Sequence, residues 1–272
     1  MVDCAEAAQL QFRRYHFRDS RLGHIFVSHS HGDHCLGIAG LLSSYALAGR
    51  LDDIHIYAPQ ELDDILKHQI DFFVKGALFS IVFHPIDDCV GSVIYEDGSI
   101  AVTPFPLIHR IPCFGFLFKE KNSERHIKPE CIERYGIATE AIRDIKKGSD
   151  YTTADGTVIP NTVLTTDPTP PRSYAYCCDT MPCPDNAPLL SGVDLLYHDS
   201  TYAEAEAALA QANFHSTARQ AAEFAKSCKA GKLILGHYSS RYDTEDQILA
   251  DAVKVFPNSV LADEGKKFEV GE

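Results

Sequence analysis

Tryptophan is absent from the 272 residues, and so is any excess of positive charge: 25 Lys and Arg stand against 38 Asp and Glu, a net charge of −13. So acidic a body repels nucleic acid at long range, which excludes a basic sequence-reading domain, argues against DNA as a partner and requires any polyanion to be met locally. No run of about 18 apolar residues is present, so no membrane-spanning helix is expected. The opening MVDCAEAAQLQ lacks a basic region followed by an apolar stretch, so no secretory leader is expected and the cytoplasm is the expected compartment. The nine cysteines form no CxxC pair, are odd in number and include the adjacent Cys177 and Cys178. Reduced thiols follow, rather than disulfides. With 45% apolar residues the chain can bury a sizeable core, which excludes disorder. Thirteen histidines is high for this length, and their placement carries the argument.

Hydrophobic patterning gives a β-α-β-α rhythm at the start: a helix over 5–14, a strand over 25–27, a helix over 35–47, a strand over 53–57, and a helix to Phe73 with Pro59 at its first position. From Ser80 to Lys119 the period is two with turn signals such as Glu96-Asp97-Gly98, which predicts consecutive antiparallel strands. The α/β pattern then returns, with strands over 174–178, 194–197 and 232–235 and helices over 203–212, 216–229 and 244–256. Two halves, each a sheet with outer helices, predict one α/β domain over 1–272, built as two sheets packed face to face between helical layers. Residues 119–147 stand apart. They hold eight Lys or Arg and six Asp or Glu, an excess of two positive charges that leaves −15 for the rest. This segment reads either as an arm projecting from the core or as a solvated helical insertion without a partner.

His29-Ser30-His31-Gly32-Asp33-His34 follows the first strand and precedes a helix. A strand end splays alternate imidazoles to one side, and Gly32 lets the chain turn so that Asp33 and His34 face a second point, a geometry suited to two metal ions. Imidazole with carboxylate suits Zn²⁺ and equally Mn²⁺, Fe²⁺ or Co²⁺, whereas Mg²⁺ and Ca²⁺ favour oxygen alone. His109, Asp179 and His237 each lie at the end of an apolar strand. Alone, His109 also fits a hydrogen-bonded loop histidine, Asp179 a helix cap and His237 a structural residue. His198 either steadies a ligand from behind or is a satisfied core residue. His16, His24, His55, His68, His84 and His126 show no partner spacing.

The HxHxDH pattern resembles the metallo-β-lactamase superfamily, and the remaining motifs narrow the resemblance to the ribonuclease Z family of tRNA 3′-processing endonucleases. Asp3-Cys4-Ala5-Glu6-Ala7-Ala8-Gln9 is similar to that family's DCGEGTQ, with alanine in place of both glycines and the threonine. The stretch from Pro106 to Phe116 resembles its third histidine motif, Tyr176-Cys177-Cys178-Asp179-Thr180 its strand-terminal aspartate, and Leu196 to Tyr202 its HEATF motif, with Asp199 where Glu is usual. Phe214-His215-Ser216-Thr217 and Gly236-His237-Tyr238-Ser239-Ser240-Arg241-Tyr242 complete the series.

The resemblance implies a four-layer αββα sandwich with an inserted arm and two Zn²⁺ per subunit. One ion takes His29, His31, His109 and Asp179; the other takes Asp33, His34, His237 and the shared Asp179. It further implies hydrolysis by metal-activated water, with Asp33 orienting or deprotonating it and His215, held by Asp199, donating a proton to the leaving oxygen. Arg241 would meet charge on the phosphoryl oxygens, with Ser239 and Ser240 beside it on the substrate. The products would be a tRNA 3′-hydroxyl and a freed trailer. Family members form homodimers in which the arm of one subunit clamps precursor tRNA for the other, and residues 119–147 lie where that arm belongs. The family also places a β-hairpin and most of a third strand before the DCGEGTQ motif, so open sheet positions are expected beside it. A phosphodiesterase acting on small diesters and an inactive RNA-binding relic are the competing readings.

Overall fold

The protein is described by a computed structural model covering residues 1–271. Two compact units emerge. The first comprises Met1–Glu96, Ala101–Phe118 and everything from Ser173 onward; the second comprises Asp97–Ile100 and Lys119–Arg172.

The first unit is α/β. Its smaller sheet runs His24–Phe26, Ile54–Ala58 and Ile81–Pro85, with Ile54–Ala58 central and both pairings parallel. Alternation along the central strand sends Ile54, Ile56 and Ala58 into a core with Leu41, Leu42, Leu62 and Leu66. Those leucines belong to the helices Gly37–Leu47 and Gln60–Phe73. On the opposite face, Phe26 meets Phe116 and Phe118 of the larger sheet, with ring centroids 5.6 and 5.5 Å away. The larger sheet is ordered Ser259–Leu261, Lys232–Gly236, Leu195–Asp199, Ser173–Cys177, Cys113–Glu120, Ile100–Leu107 and Tyr95–Glu96. Its first four strands are parallel to one another. Helices Ala218–Ser227 and Asp246–Val253 bury Ala221, Ala222, Phe224, Ile248 and Ala252 against it. The capping box of Thr217 with Gln220 fixes where the first of these helices begins. Helix, sheet, sheet and helix make the four layers.

Leu41 is fully buried between helix and sheet, so Leu41→Ala should cost about 2–5 kcal/mol of unfolding free energy. Denaturant titration checks this, and a loss under about 1 kcal/mol would contradict the packing described.

Three expectations need correction. Ile81–Pro85 is not part of an antiparallel run; it lies parallel to Ile54–Ala58 in the smaller sheet, because period-two alternation reports one-sided burial and is silent on the strand's partner. The edge beside His24–Phe26 is met by Met1 to Asp3: Val2 bridges Phe26, Phe26 N–H donates to Met1 O, and Asp3 N–H donates to Phe26 O. The insertion extends past Lys147 to Arg172 and forms a unit with its own core of Cys131, Ile137, Ile145 and Leu164. Its helices Pro129–Tyr135 and Thr139–Lys146 are separated by Gly136 at φ +59°. Asn161 joins the later chain to them, donating to Ile145 O and Ser149 O and accepting from Thr165. Over 119–172 there are nine Lys or Arg and nine Asp or Glu, so the positive excess is confined to the first half of this unit.

Candidate active site

Strands deliver the site. Ser28 and His29 follow His24–Phe26, Asp179 follows Ser173–Cys177, Asp199 closes Leu195–Asp199, and His237 follows Lys232–Gly236. Parallel strands gather such residues at their carboxyl ends, where side chains of distant sequence number meet. His237 and Phe214 adopt φ +62° and Asp3 φ +52°, a left-handed backbone that non-glycine residues hold only where the surroundings enforce it.

The two carboxylate oxygens of Asp179 divide the histidines between them. Oδ2 lies 3.8 Å from His29 Nε2 and 4.0 Å from His109 Nε2, and His31 Nδ1 lies 3.0 and 3.2 Å from those same nitrogens. Oδ1 lies 3.5 Å from His34 Nε2 and 3.2 Å from His237 Nε2, with Asp33 Oδ2 3.5 Å from His34 Nε2. The structure thus brings together His29, His31, His109 and Asp179 as one group and Asp33, His34 and His237 as another, the candidate ligand atoms of each lying within 4.8 Å of one another.

Most of these imidazoles have Nδ1 occupied from behind. His34 Nδ1 meets Asp3 Oδ2 at 2.8 Å, His109 Nδ1 donates to Phe214 O at 3.1 Å, and His237 Nδ1 lies 2.9 Å from Thr201 Oγ1. Ser28 Oγ donates to Asp3 Oδ2, which leaves it to accept from His29 Nδ1 at 2.9 Å. With the proton placed at Nδ1, each Nε2 lone pair faces the cluster, the tautomer a cation requires. His34 Nε2 is buried and has no hydrogen-bond partner. A buried bare nitrogen between two carboxylates, amid an all-imidazole and carboxylate donor set, fits divalent cations.

Electrostatics agree. Burial, helped by neighbouring His34, pushes His29 down to about 3, which favours the neutral imidazole. Burial likewise lowers His109. For His34 the lowering by burial is outweighed by the Asp179 and Asp3 carboxylates, which raise it to about 10. Asp179, whose burial favours the neutral acid, is nevertheless held far below the usual carboxylate range by the surrounding histidines. Two other groups of potential ligands also converge, His29 with His34 and Cys178, and Asp179 with Asp199, His215 and His237. Burial raises the Cys178 thiol well above its ordinary value, and a protonated thiol ligates poorly.

Asp199 is fully engaged elsewhere. Its Oδ1 accepts from Thr201 N–H and Oγ–H, and its Oδ2 from Thr180 N–H and, at 2.7 Å, His215 Nδ1. His215 therefore carries a fixed Nδ1 proton and leaves Nε2 available. Burial lowers its proton affinity, but the Asp199 bond outweighs this and the net shift is upward.

An open cleft of about 310 Å³ is lined by His31, Asp33, His109, Asp179, His215 and His237, together with Arg110, Tyr202 and Asn213. Arg241 is not among them: it is exposed, 5.2 Å over the Tyr202 ring, and donates to Ser239 Oγ. Ser239 and Ser240 do not line the cleft either. Among the described residues His198 joins no candidate metal group; it is buried, bonds to Asp199 O and packs on Phe224, as a satisfied core histidine does. Sequence reasoning assigned nothing to Asp3, Thr201 or Arg110, although each lies inside or beside a quoted motif. His24, His55 and His84, which lack partner spacing in sequence, form a stacked ladder outside the cleft because parallel register aligns their strands.

Comparison with known proteins follows the same lines. Residues 1–128 match the beta-lactamase superfamily domain. Ribonuclease Z of Bacteroides fragilis is 47% identical over 264 residues, covering 97% of this chain and 87% of that one. Ribonuclease Z of Parabacteroides distasonis is 44% identical over 270 residues, covering 99% and 89%. Among solved structures, the short form of human tRNase Z superposes with a TM-score of 0.66 at 25% identity, covering 97% of this chain and 85% of the human one.

Proposed function

Because the chain belongs to the ribonuclease Z family, within the metallo-β-lactamase superfamily, we propose that it is an endoribonuclease that removes the 3′ trailer from precursor tRNA. The observation that carries this reading is the His215–Asp199 pair beside the paired ligand clusters. A cation cluster alone suits many diester hydrolyses; a half-buried acid held by a buried carboxylate next to it suits one whose leaving group is a poorly stabilised sugar oxygen.

His29, His31, His109 and Asp179 would hold one divalent cation and Asp33, His34, His237 and Asp179 a second, as Zn²⁺ or as Mn²⁺, Fe²⁺ or Co²⁺. Bound there, such ions supply Lewis acidity toward phosphoryl oxygens and make water nucleophilic near neutral pH. Asp33, whose side chain is 65% exposed at the cleft, accepts a proton from the attacking water and orients it. As the water oxygen bonds to phosphorus, the bond from phosphorus to the tRNA 3′-oxygen breaks. His215 gives that oxygen its Nε2 proton, leaving a 3′-hydroxyl on the tRNA and a 5′-phosphate on the trailer. Asp199 stabilises the reacting imidazole without itself taking the proton. Arg241, with Ser239 and Ser240, serves the rim, where its contact with Tyr202 would set the substrate's approach.

The protein acts in the cytoplasm as a homodimer, with residues 119–147 as the tRNA-gripping part of the second unit. The support is the local positive excess there, and binding through it should weaken steeply with salt. Metal-loaded protein should cut precursor tRNA at the trailer boundary. Turnover of a small phosphodiester with precursor tRNA left intact would favour a general phosphodiesterase, and RNA retention without cleavage an inactive binder.

A further inference from the structure

Arg110 is the one arginine or lysine lining the cleft among the described residues. It has no carboxylate partner among them. Its Nη2 donates to Asn213 Oδ1 at 2.7 Å and reaches Ala212 O at 3.4 Å, so its charge is held in place but not neutralised. The Nε and Nη1 donors carry no bond to the described residues. A guanidinium oriented by a neutral amide, on a chain of net charge −13, is preorganised to receive an anion from outside.

Its position says which anion. Arg110 adjoins His109, whose ring lies 5.2 Å from that of His215, and its anchor Asn213 precedes His215 by two residues. His215 also stacks on His237 of the Asp33 group at 5.1 Å, so the proton donor stands between the two groups and Arg110, anchored on Asn213, meets it from the His109 face. Arg110 is thus on the proton donor's side of the cleft, where the leaving oxygen lies. We infer that Arg110, oriented by Asn213, forms a phosphate-binding subsite for the strand that leaves, gripping the phosphodiester one nucleotide upstream of the tRNA 3′-oxygen. This rests on the nuclease reading above. Arg110 binds and positions; it transfers no proton.

The probe is tRNA ending at the discriminator nucleotide, which has no trailer left to cut, so binding is read separately from cleavage. Arg110→Ala should weaken binding by on the order of tenfold, as loss of a charge-assisted contact does. It should also flatten the slope of log affinity against log salt by about 0.7–0.9. Arg110→Lys should restore the slope but only part of the affinity. Asn213→Ala, which loosens the clamp and keeps the charge, should leave the slope unchanged. A methylphosphonate at the upstream position should remove the difference between wild type and Arg110→Ala. In turnover of precursor tRNA, KM should rise more than kcat falls.

An unaltered salt slope in Arg110→Ala, or a penalty that survives the neutral linkage, would overturn the assignment. So would Asn213→Ala reproducing Arg110→Ala in full, because Arg110 would then act as a loop clamp. A wild-type protein that binds this tRNA but never cuts a trailer refutes the functional reading instead.

Discussion

Asp179→Ala should lose both cations and all trailer removal at once, with metal affinity falling by more than the roughly 10–100-fold seen when only a supporting residue is lost. The reason is geometric. Oδ2 faces the His29 and His109 nitrogens while Oδ1 faces those of His34 and His237, so this one carboxylate stands between the two groups. Removal would also leave five imidazoles facing one another with one fewer compensating charge. Metal analysis of the dialysed variant and a cleavage assay check this, with circular dichroism to verify folding. Asp179→Asn, which keeps the volume, should behave alike. Retention of two ions by either variant would show that Asp179 is not the shared ligand.

The second large effect is chemical rather than structural. His215→Ala should lower kcat by about 10²–10⁴-fold, the span expected of a general acid, while metal content and tRNA binding stay near wild type. The alkaline limb of the kcat profile, along which the imidazolium loses its proton, should disappear with it. His215 sits in the cleft wall with Nδ1 committed to Asp199, so its loss removes a proton donor without removing a residue from either the His29, His31, His109 group or the Asp33, His34, His237 group. Asp199→Asn should fall short of that loss, because the amide still fills the site but no longer stabilises the cation. A variant at position 215 that cleaves at the wild-type rate would remove the acid from the account.

Much of this site was legible before any coordinates. HSHGDH crowds potential ligands into a turn after a strand, and the fold does gather them with Asp179 and His237, since parallel strands align their carboxyl ends. The supporting layer was not legible. Asp3 organises Ser28, His34 and Tyr176 through one carboxylate, and although it opens a quoted motif, nothing in that motif says which side chains it will hold. Thr201 bonds both Asp199, two residues before it, and His237, 36 residues after it, and nothing in the local pattern of a threonine declares that. Pairing direction was equally hidden: Ile81–Pro85 alternates as an antiparallel strand would, and only its neighbour makes it parallel. The charge excess of residues 119–147 was real but drew too short a boundary, because the core that closes this unit includes Leu164.

The measurement that bears most directly on the whole account is anomalous scattering from crystals of the metal-loaded protein. Two peaks are expected, about 3.5–4 Å apart, one ringed by His29, His31 and His109, the other by Asp33, His34 and His237, with Asp179 touching both. A single peak, or peaks held by other side chains, in protein that still releases trailers would contradict it.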